Sequence, residues 1–230
     1  PLYFCVQTLR ELGATSIGLV APYLSYMRQD RRFHEGEGVT SRYFARLLSD
    51  TFDWLVTVDP HLHRYSSLDE IYSMPAEVVH AAPVISEWVR SNIPQALLIG
   101  PDSESEQWVG EVAKMAGVPH VVLSKTRHGD RDVEVSIPKV EQWKSYTPVL
   151  VDDIISTART MIETVGHLKQ LSLKAPVCVG IHAIFAQSAF EDLLEAGVSQ
   201  VTTCNTIPHE SNAIDISMAI AKAAKQLINQ

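Results

Sequence analysis

A pair of carboxylates followed by a cluster of hydroxyl groups marks the stretch of this 230-residue chain with the most chemistry. An apolar run ends in Asp152 and Asp153, and Ser156, Thr157 and Thr160 follow where a helical pattern begins. Hydroxyls and backbone N–H groups at a helix N-terminus favour an anion such as phosphate. The two carboxylates would repel phosphate but suit sugar hydroxyls or a divalent cation with oxygen ligands. The stretch therefore predicts a sugar-phosphate site.

Each half of this stretch also has a simpler interpretation. A serine–threonine pair after a strand is more often only a helix cap, and neighbouring aspartates at a strand end are commonly solvated. The two features in this order are more specific than either feature alone, and both interpretations stay open.

Alternating strands and helices must position this stretch. Apolar runs predict short buried strands at 17–21, 54–58, 96–100, 120–123, 177–181 and 200–204, besides the central strand that ends at Asp152. Helical spacing of apolar residues predicts helices at 2–12, 41–49 (capped by Ser41), 83–92, 104–115, 161–171, 188–195 and 214–227. A hairpin arm is expected at 133–137, and residues 62–79 form a weakly patterned link. This alternation predicts an α/β protein with parallel sheets, in which ligands lie where strands end.

The two halves of the chain have a similar order of elements. Helix, strand, helix, strand over residues 2–58 parallels the same order over residues 161–204. Further strands precede the second copy, whereas nothing precedes Leu2. We therefore expect a first domain over residues 1–78 whose N-terminal part is missing, and a second domain over residues 79–230. The last helix is expected to pack back on the first domain.

Composition narrows the classes of function. The chain is 46% apolar with a net charge of −8, which argues against a nucleic-acid surface. Its uninterrupted apolar stretches are too short to cross a membrane, and we expect no membrane partner. Cys178 and Cys204 fall in apolar runs, which favours buried free thiols over a disulfide, a metal site or a nucleophile. These features predict a cytoplasmic protein that handles small anions.

Two basic groups offer further chemistry. Arg28, Arg31 and Arg32 follow a predicted strand together with Gln29, and guanidinium forks match phosphate oxygens. Residues 124–131 form a second, hairpin-like basic loop. By composition alone, the first group could equally be a solvated surface loop, and a solvent-exposed turn is the default interpretation of the second.

Longer motifs resemble those of the ribose-phosphate pyrophosphokinases, also called PRPP synthetases. Residues 149–160 resemble the phosphoribosyl-pyrophosphate binding loop of the type I phosphoribosyltransferase fold, which this family shares. Residues 22–30 contain the family's Pro-Tyr-x-x-Tyr-x-Arg-Gln-Asp signature, and residues 130–137 most resemble its archaeal-type branch. The resemblance covers nearly the whole chain. It implies two type I phosphoribosyltransferase-like domains with parallel sheets, the first of them incomplete.

The resemblance implies an ATP side. It implies that Arg28, Gln29 and His61 contact ATP. It also implies that His61 and Asp102 bind Mg²⁺. Residues 103–108 depart from the family pattern, because many members have a glycine-rich or lysine-bearing loop there. The two glutamates of this loop would repel pyrophosphate unless a metal intervenes.

The resemblance also implies a flap and a sugar side. Lys125 and Arg127 match a Lys-x-Arg flap that neutralises the transferred group and excludes water when it closes. The resemblance implies that ribose 5-phosphate is bound by the acidic and hydroxyl residues and one neighbouring arginine: Asp152, Asp153, Ser156, Thr157, Arg159 and Thr160. Many relatives have Asp in place of Ser156 and Gly in place of Arg159.

The activity implied is the conversion of ATP and ribose 5-phosphate to PRPP and AMP, which needs alignment and charge neutralisation more than a protein nucleophile. In the family a neighbouring subunit lends ATP-site residues from an N-terminal segment, so we expect a homo-oligomer and an inactive chain without that segment. Two alternatives stay open. One is a phosphoribosyltransferase that consumes PRPP and lacks the Tyr-x-Arg-Gln-Asp and Lys-x-Arg elements. The other is a non-catalytic regulatory relative, suggested by the altered residues 103–108 and Arg159.

Overall fold

The computed structural model describes residues 1–62, 64–100, 105–127, 133–136 and 140–229; for residues 107, 124–127, 133–136 and 140 this covers the backbone only. The chain divides into two compact units. The first unit comprises Pro1–His80 together with Ser217–Gln230, and the second unit comprises Ala81–Ile216.

The first unit contains a parallel three-stranded sheet. Its strands are β1 (Gly18–Val20), β2 (Trp54–Val58) and β3 (Ala76–Val79), and they lie in the order β1-β2-β3. The helices of this unit are α1 (Leu2–Glu11), α2 (Thr40–Ser49) and α7 (Ser217–Ile228), and α7 packs against β2 and β3. Buried side chains from α2, the sheet and the segment after β2 form its core, among them Ala45, Leu48, Leu55, Leu68 and Tyr72.

The second unit contains a six-stranded parallel sheet. Its strands are β4 (Ala96–Gly100), β5 (His120–Val122), β8 (Thr147–Ile155), β9 (Val177–Ala183), β10 (Gln200–Cys204) and β11 (Asn212–Ile214). They lie in the order β11-β10-β9-β8-β4-β5. Its helices are α3 (Ala82–Asn92), α4 (Glu106–Ala116), α5 (Arg159–Gln170) and α6 (Ala189–Glu195). Two further strands, β6 (Ser124–Arg127) and β7 (Val133–Ser136), form a separate antiparallel pair.

Burial explains why these elements form. β9 is buried along its whole length and is apolar except for His182, as expected for a strand covered on both faces. Helix α5 buries Met161, Val165 and Leu168, whose spacing of three to four residues puts them on one face. Gly117 ends α4 with a φ of 70°, a left-handed conformation that glycine adopts without steric cost. The predicted α/β class with parallel sheets is confirmed.

Several details of the sequence prediction are wrong. Ser41 is the second residue of α2, where it is buried, and makes no cap. β8 continues through both aspartates to Ile155 instead of ending at Asp152, because pairing with β9 continues to its last residue. The link over residues 62–79 contains β3, whose four residues are too few to show a clear strand pattern in the sequence. Ile214 belongs to β11, and the last helix begins at Ser217.

Two glycine substitutions test the packing of the second unit. A Cβ added at Gly180 in β9 would lie 2.6 Å from Cδ1 and 2.7 Å from Cγ1 of the buried Ile155. We expect Gly180→Ala to cost about 1–3 kcal/mol through overpacking and to lower the melting temperature. A Cβ added at Gly166 in α5 would meet no atom within 4 Å, so the control Gly166→Ala should stabilise by about 0.5–1 kcal/mol. Circular-dichroism melting measures the stability of both variants. Equal melting temperatures for Gly180→Ala and Gly166→Ala would contradict this packing.

Candidate functional site

The end of β8 and the turn after it form the acidic loop, residues 152–160. Asp152 and Asp153 are half-buried in the last part of the strand. The Asp153 N–H donates to Oδ1 of Asp152 at 2.9 Å, and the Ile154 N–H donates to Oδ1 of Asp153 at 2.8 Å. These bonds to the local backbone hold both carboxylates at the strand end, where ligands of parallel sheets bind.

The turn between β8 and α5 has a strained backbone. Ala158 has φ 55° and ψ 8°, a left-handed conformation that costs a residue with a Cβ about 1–2 kcal/mol. The Ala158 carbonyl accepts the N–H of Ile162 at 2.9 Å, and the Ser156 carbonyl accepts the N–H of Ala186 at 3.1 Å. Strain of this size persists only where surrounding structure imposes it, and such positions are concentrated at functional sites.

The hydroxyl residues of the acidic loop do not act as a helix cap. No side chain caps α5, whose N-terminal cap position is occupied by Ala158. Thr157, Arg159 and Thr160 are exposed, and Ser156 is half-buried. The simpler interpretation of the Ser-Thr pair as a cap is therefore wrong. The arrangement can instead offer hydroxyls, a guanidinium and the first backbone N–H groups of α5 to an anion.

The segment after β9 braces the acidic loop. The Ile184 N–H donates to the carbonyl of Ile155 at 3.1 Å, next to the Ala186 bond to Ser156. The Phe185 ring packs 4.6 Å from the ring of His209, measured between centroids. This aromatic pair joins the segments that follow β9 and β10. Sequence reasoning missed both residues, because an isolated aromatic residue after a strand has no periodic signal.

His182 is a second residue that sequence reasoning missed. It is buried near the end of β9, and its Nδ1 lies 2.9 Å from Oγ1 of Thr206. The Thr206 hydroxyl donates its single hydrogen to the Ile181 carbonyl at 2.8 Å. The Nδ1 atom of His182 must then be the donor to Thr206. This bond fixes the ring beside Ile154, which pairs with His182 across the sheet.

The cysteines are structural, as the sequence predicted. Cys178 and Cys204 are fully buried and form no disulfide, whereas Cys5 is exposed on α1. Burial raises the pKa of the Cys178 thiol to about 12, and the nearby charge of Asp152 acts in the same direction. A thiol with this pKa is protonated at neutral pH and is a poor nucleophile.

This burial predicts the rates at which the three thiols react with an aromatic disulfide reagent. Among them, only Cys5 should react within minutes in the native protein at pH 8, because the other two are shielded. All three should react in guanidinium chloride. Cys5→Ser is the control and should abolish the fast phase. A fast phase that survives this substitution would contradict the burial of Cys178 and Cys204.

In the first unit, the candidate ATP residues follow the ends of two neighbouring parallel strands. Arg28 is exposed and Gln29 is half-buried in the loop after β1, and His61 is half-buried in the segment after β2. Neighbouring parallel strands end at the same edge of a sheet, so both loops belong to one edge of the first unit. Glu37, which the sequence did not single out, accepts the N–H groups of Phe33 and His34 at 2.9 and 3.0 Å.

The turn that precedes His61 is held by a hydrogen bond between two side chains. Oδ1 of Asp59 lies 2.8 Å from Nδ1 of His80, which follows β3. Asp59 has a φ of 31°, and its N–H donates to the carbonyl of Val79 at 3.1 Å. His80 was not predicted, since its partner lies on a different strand.

The other candidates are described only in part. Lys125 and Arg127 lie two residues apart in β6, where they pair with Val135 and Val133 of β7. Asp102 lies outside the described residues. Among the residues that are described, no group of three histidines, cysteines, aspartates or glutamates could hold a metal ion. None of the described helices is long and apolar enough to span a bilayer.

Two family models match the chain. The model described as "Phosphoribosyl transferase domain" matches residues 67–227, which is more than half of the chain. The model described as "N-terminal domain of ribose phosphate pyrophosphokinase" matches residues 1–51.

Curated relatives and a solved structure give the same picture. The chain is 33% identical over 224 residues to a ribose-phosphate pyrophosphokinase of Methanopyrus kandleri, covering 96% of this chain and 76% of the relative. It is 28% identical over 228 residues to a protein of the same name from Sulfolobus acidocaldarius, covering 96% of this chain and 77% of the relative. The crystal structure of phosphoribosylpyrophosphate synthetase from Mycobacterium smegmatis has the same fold, with a TM-score of 0.80 at 22% identity. That match covers 99% of this chain and 77% of the other.

Proposed function

The chain belongs to the ribose-phosphate pyrophosphokinase family, and we propose that it transfers the β,γ-diphosphoryl group of ATP to O1 of ribose 5-phosphate. The products are PRPP and AMP. The acidic loop carries the proposal: two half-buried carboxylates at a strand end precede a strained turn and the exposed first turn of α5. Carboxylates suit the sugar hydroxyls, and the first turn of α5 suits the 5-phosphate.

Each part of the acidic loop has a role in this proposal. Asp152 and Asp153 accept hydrogen bonds from the ribose hydroxyls. The 5-phosphate is bound by the hydroxyls and N–H groups of Ser156, Thr157 and Thr160, with the Arg159 guanidinium beside it. Together these contacts orient O1 of the ribose toward the nucleotide, which lowers the entropic part of the barrier.

ATP is bound, in the proposal, by Arg28, Gln29 and His61. Mg²⁺ would be held by His61 and Asp102. Mg²⁺ sites that include substrate phosphates need only one or two protein ligands. When bound, Mg²⁺ neutralises charge on the triphosphate and aligns it.

The transfer itself forms one bond and breaks another. The ribose O1 attacks the β-phosphorus, the bond from the β-phosphorus to the bridging oxygen breaks so that this oxygen leaves with AMP, and the hydroxyl proton is released to solvent. Lys125 and Arg127 neutralise the charge that builds on the transferred group. Closure of the hairpin that carries them excludes water that would otherwise hydrolyse ATP.

Exposed apolar side chains support a homo-oligomer. Tyr3, Phe4 and Leu12, on or next to α1, expose 53%, 73% and 80% of their surface, which is unusual for a free helix surface. We propose that a second copy of the chain covers part of α1. Sedimentation velocity measures the assembly, and a monomer at micromolar concentration would contradict it.

A direct assay tests the proposed activity. The intact protein is incubated with ATP, ribose 5-phosphate and Mg²⁺, and AMP and PRPP are separated by ion-exchange chromatography. We expect the two products in equal amounts, and no AMP when ribose 5-phosphate is omitted. Pyrophosphate release from PRPP and a nucleobase would indicate a phosphoribosyltransferase, an alternative that the named relatives do not favour. No turnover in either assay would indicate the non-catalytic alternative.

A further inference from the structure

A buried carboxylate lies directly beside the candidate nucleotide residues of the first unit. Asp30 follows Gln29 in the loop after β1, and only 6% of its side chain is exposed. Nε of Arg64, in the segment after β2, lies 3.4 Å from Oδ1 of Asp30. A buried charge without a partner is strongly unfavourable, so removal of this arginine would destabilise the folded protein.

A second contact holds the same two segments together. The Tyr65 side chain is buried, and its hydroxyl lies 3.3 Å from Oγ of the buried Ser41. The same hydroxyl accepts a hydrogen bond from Nε of Arg42 at 3.4 Å. The Ser41 N–H in turn donates to the carbonyl of Gln29 at 3.3 Å. Gln29, next to Asp30, and Tyr65, next to Arg64, therefore both contact the start of α2.

These contacts lie close in sequence to the candidate ligand-binding residues. Gln29 immediately precedes Asp30, and His61 lies three residues before Arg64. Three residues of extended chain span at most about 10 Å, so a fixed Arg64 limits where His61 can lie.

We propose that Arg64 is a positioning residue for the nucleotide, acting through its ion pair with Asp30. The pair joins the loop that carries Arg28 and Gln29 to the segment that carries His61, so that both present their contacts to ATP in one arrangement. The inference rests on the proposed function, because that function assigns these three residues to ATP. Without the pair, the two segments must be ordered by the nucleotide itself, which weakens its binding.

Arg64→Ala tests this role against a matched control. We expect the KM for ATP to rise about tenfold, which corresponds to about 1.4 kcal/mol, while the KM for ribose 5-phosphate stays within twofold. Arg64→Lys keeps the charge and should recover most of the affinity. The control is Arg46→Ala, whose side chain is 84% exposed and pairs with Asp50 on the surface of α2. It should leave both KM values unchanged.

A second variant covers the case in which Arg64→Ala does not fold because Asp30 loses its partner. In the double variant Asp30→Asn/Arg64→Gln neither group is charged, so no buried charge remains. This variant should fold with a melting temperature close to that of the parent and should still bind ATP about tenfold more weakly. A double variant with parental ATP affinity overturns the proposal.

Calorimetric titration with ATP and Mg²⁺, without ribose 5-phosphate, separates failure of this inference from failure of the proposed function. If the parent binds ATP but makes no PRPP, the proposed function fails, and the ATP affinities of the variants still decide the role of Arg64. If the parent makes PRPP and Arg64→Ala binds ATP with parental affinity, only the inference fails. Equal rises in both KM values also overturn it, because they indicate a general structural role.

Discussion

Replacing Lys125 by alanine is expected to lower kcat for PRPP formation by about 10²–10³, the cost of removing one preorganised donor from a developing charge. The KM for ATP should change little, because this interaction strengthens only as charge builds on the transferred group. Arg127→Ala should have an effect of the same kind. Steady-state assays of AMP release at saturating substrates measure both variants.

Lys144→Ala is the matched control for Lys125→Ala. Nζ of Lys144 lies 2.8 Å from Oε2 of Glu141 in an exposed pair within the same unit. Exposed pairs contribute little, so this variant should keep parental kcat and melting temperature. Parental kcat in Lys125→Ala would show that the flap takes no part in the transfer. An equal loss of kcat in Lys144→Ala would show that turnover depends on the overall charge of the protein and not on Lys125.

Asp153→Asn is expected to lower kcat/KM for ribose 5-phosphate by about 10- to 100-fold, because a hydrogen bond to a charged group contributes about 1.5–3 kcal/mol. The substitution keeps the shape of the side chain and an Oδ1 acceptor for the Ile154 N–H, so the turn should persist. Asp152→Asn should behave similarly. Varying ribose 5-phosphate at saturating ATP separates this loss from any change in nucleotide binding.

Asp50→Asn is the control for these carboxylates. The Asp50 side chain is 70% exposed and pairs with Arg46 at 3.8 Å, so loss of its charge should not change kcat/KM. If Asp153→Asn retained parental kcat/KM for ribose 5-phosphate, the acidic loop would not be the sugar site, and the central assignment of the proposed function would fail.

Most of the fold could be predicted from local patterns in the sequence. β2, β4 and β10 have the predicted bounds, because a strand buried in a parallel sheet must be apolar along most of its length. β3 was missed, since its four residues include Glu77 and its pairing with β2 lies beyond any local pattern. The extension of β8 through Asp152 and Asp153 was missed for the same reason, because β9 provides the pairing.

The candidate residues of the acidic loop followed from the order of residue types along the chain, and the family followed from the resemblance of the longer motifs. Carboxylates, hydroxyls and arginines that follow predicted strands indicate a sugar-phosphate site. This inference does not require knowledge of how the strands are arranged in space. The left-handed backbone at Ala158, the His80 contact with Asp59 and the ion pair between Asp30 and Arg64 were decided only by the tertiary structure. Each depends on a partner from another strand or loop, and packing, not local sequence, brings such partners within a few ångströms.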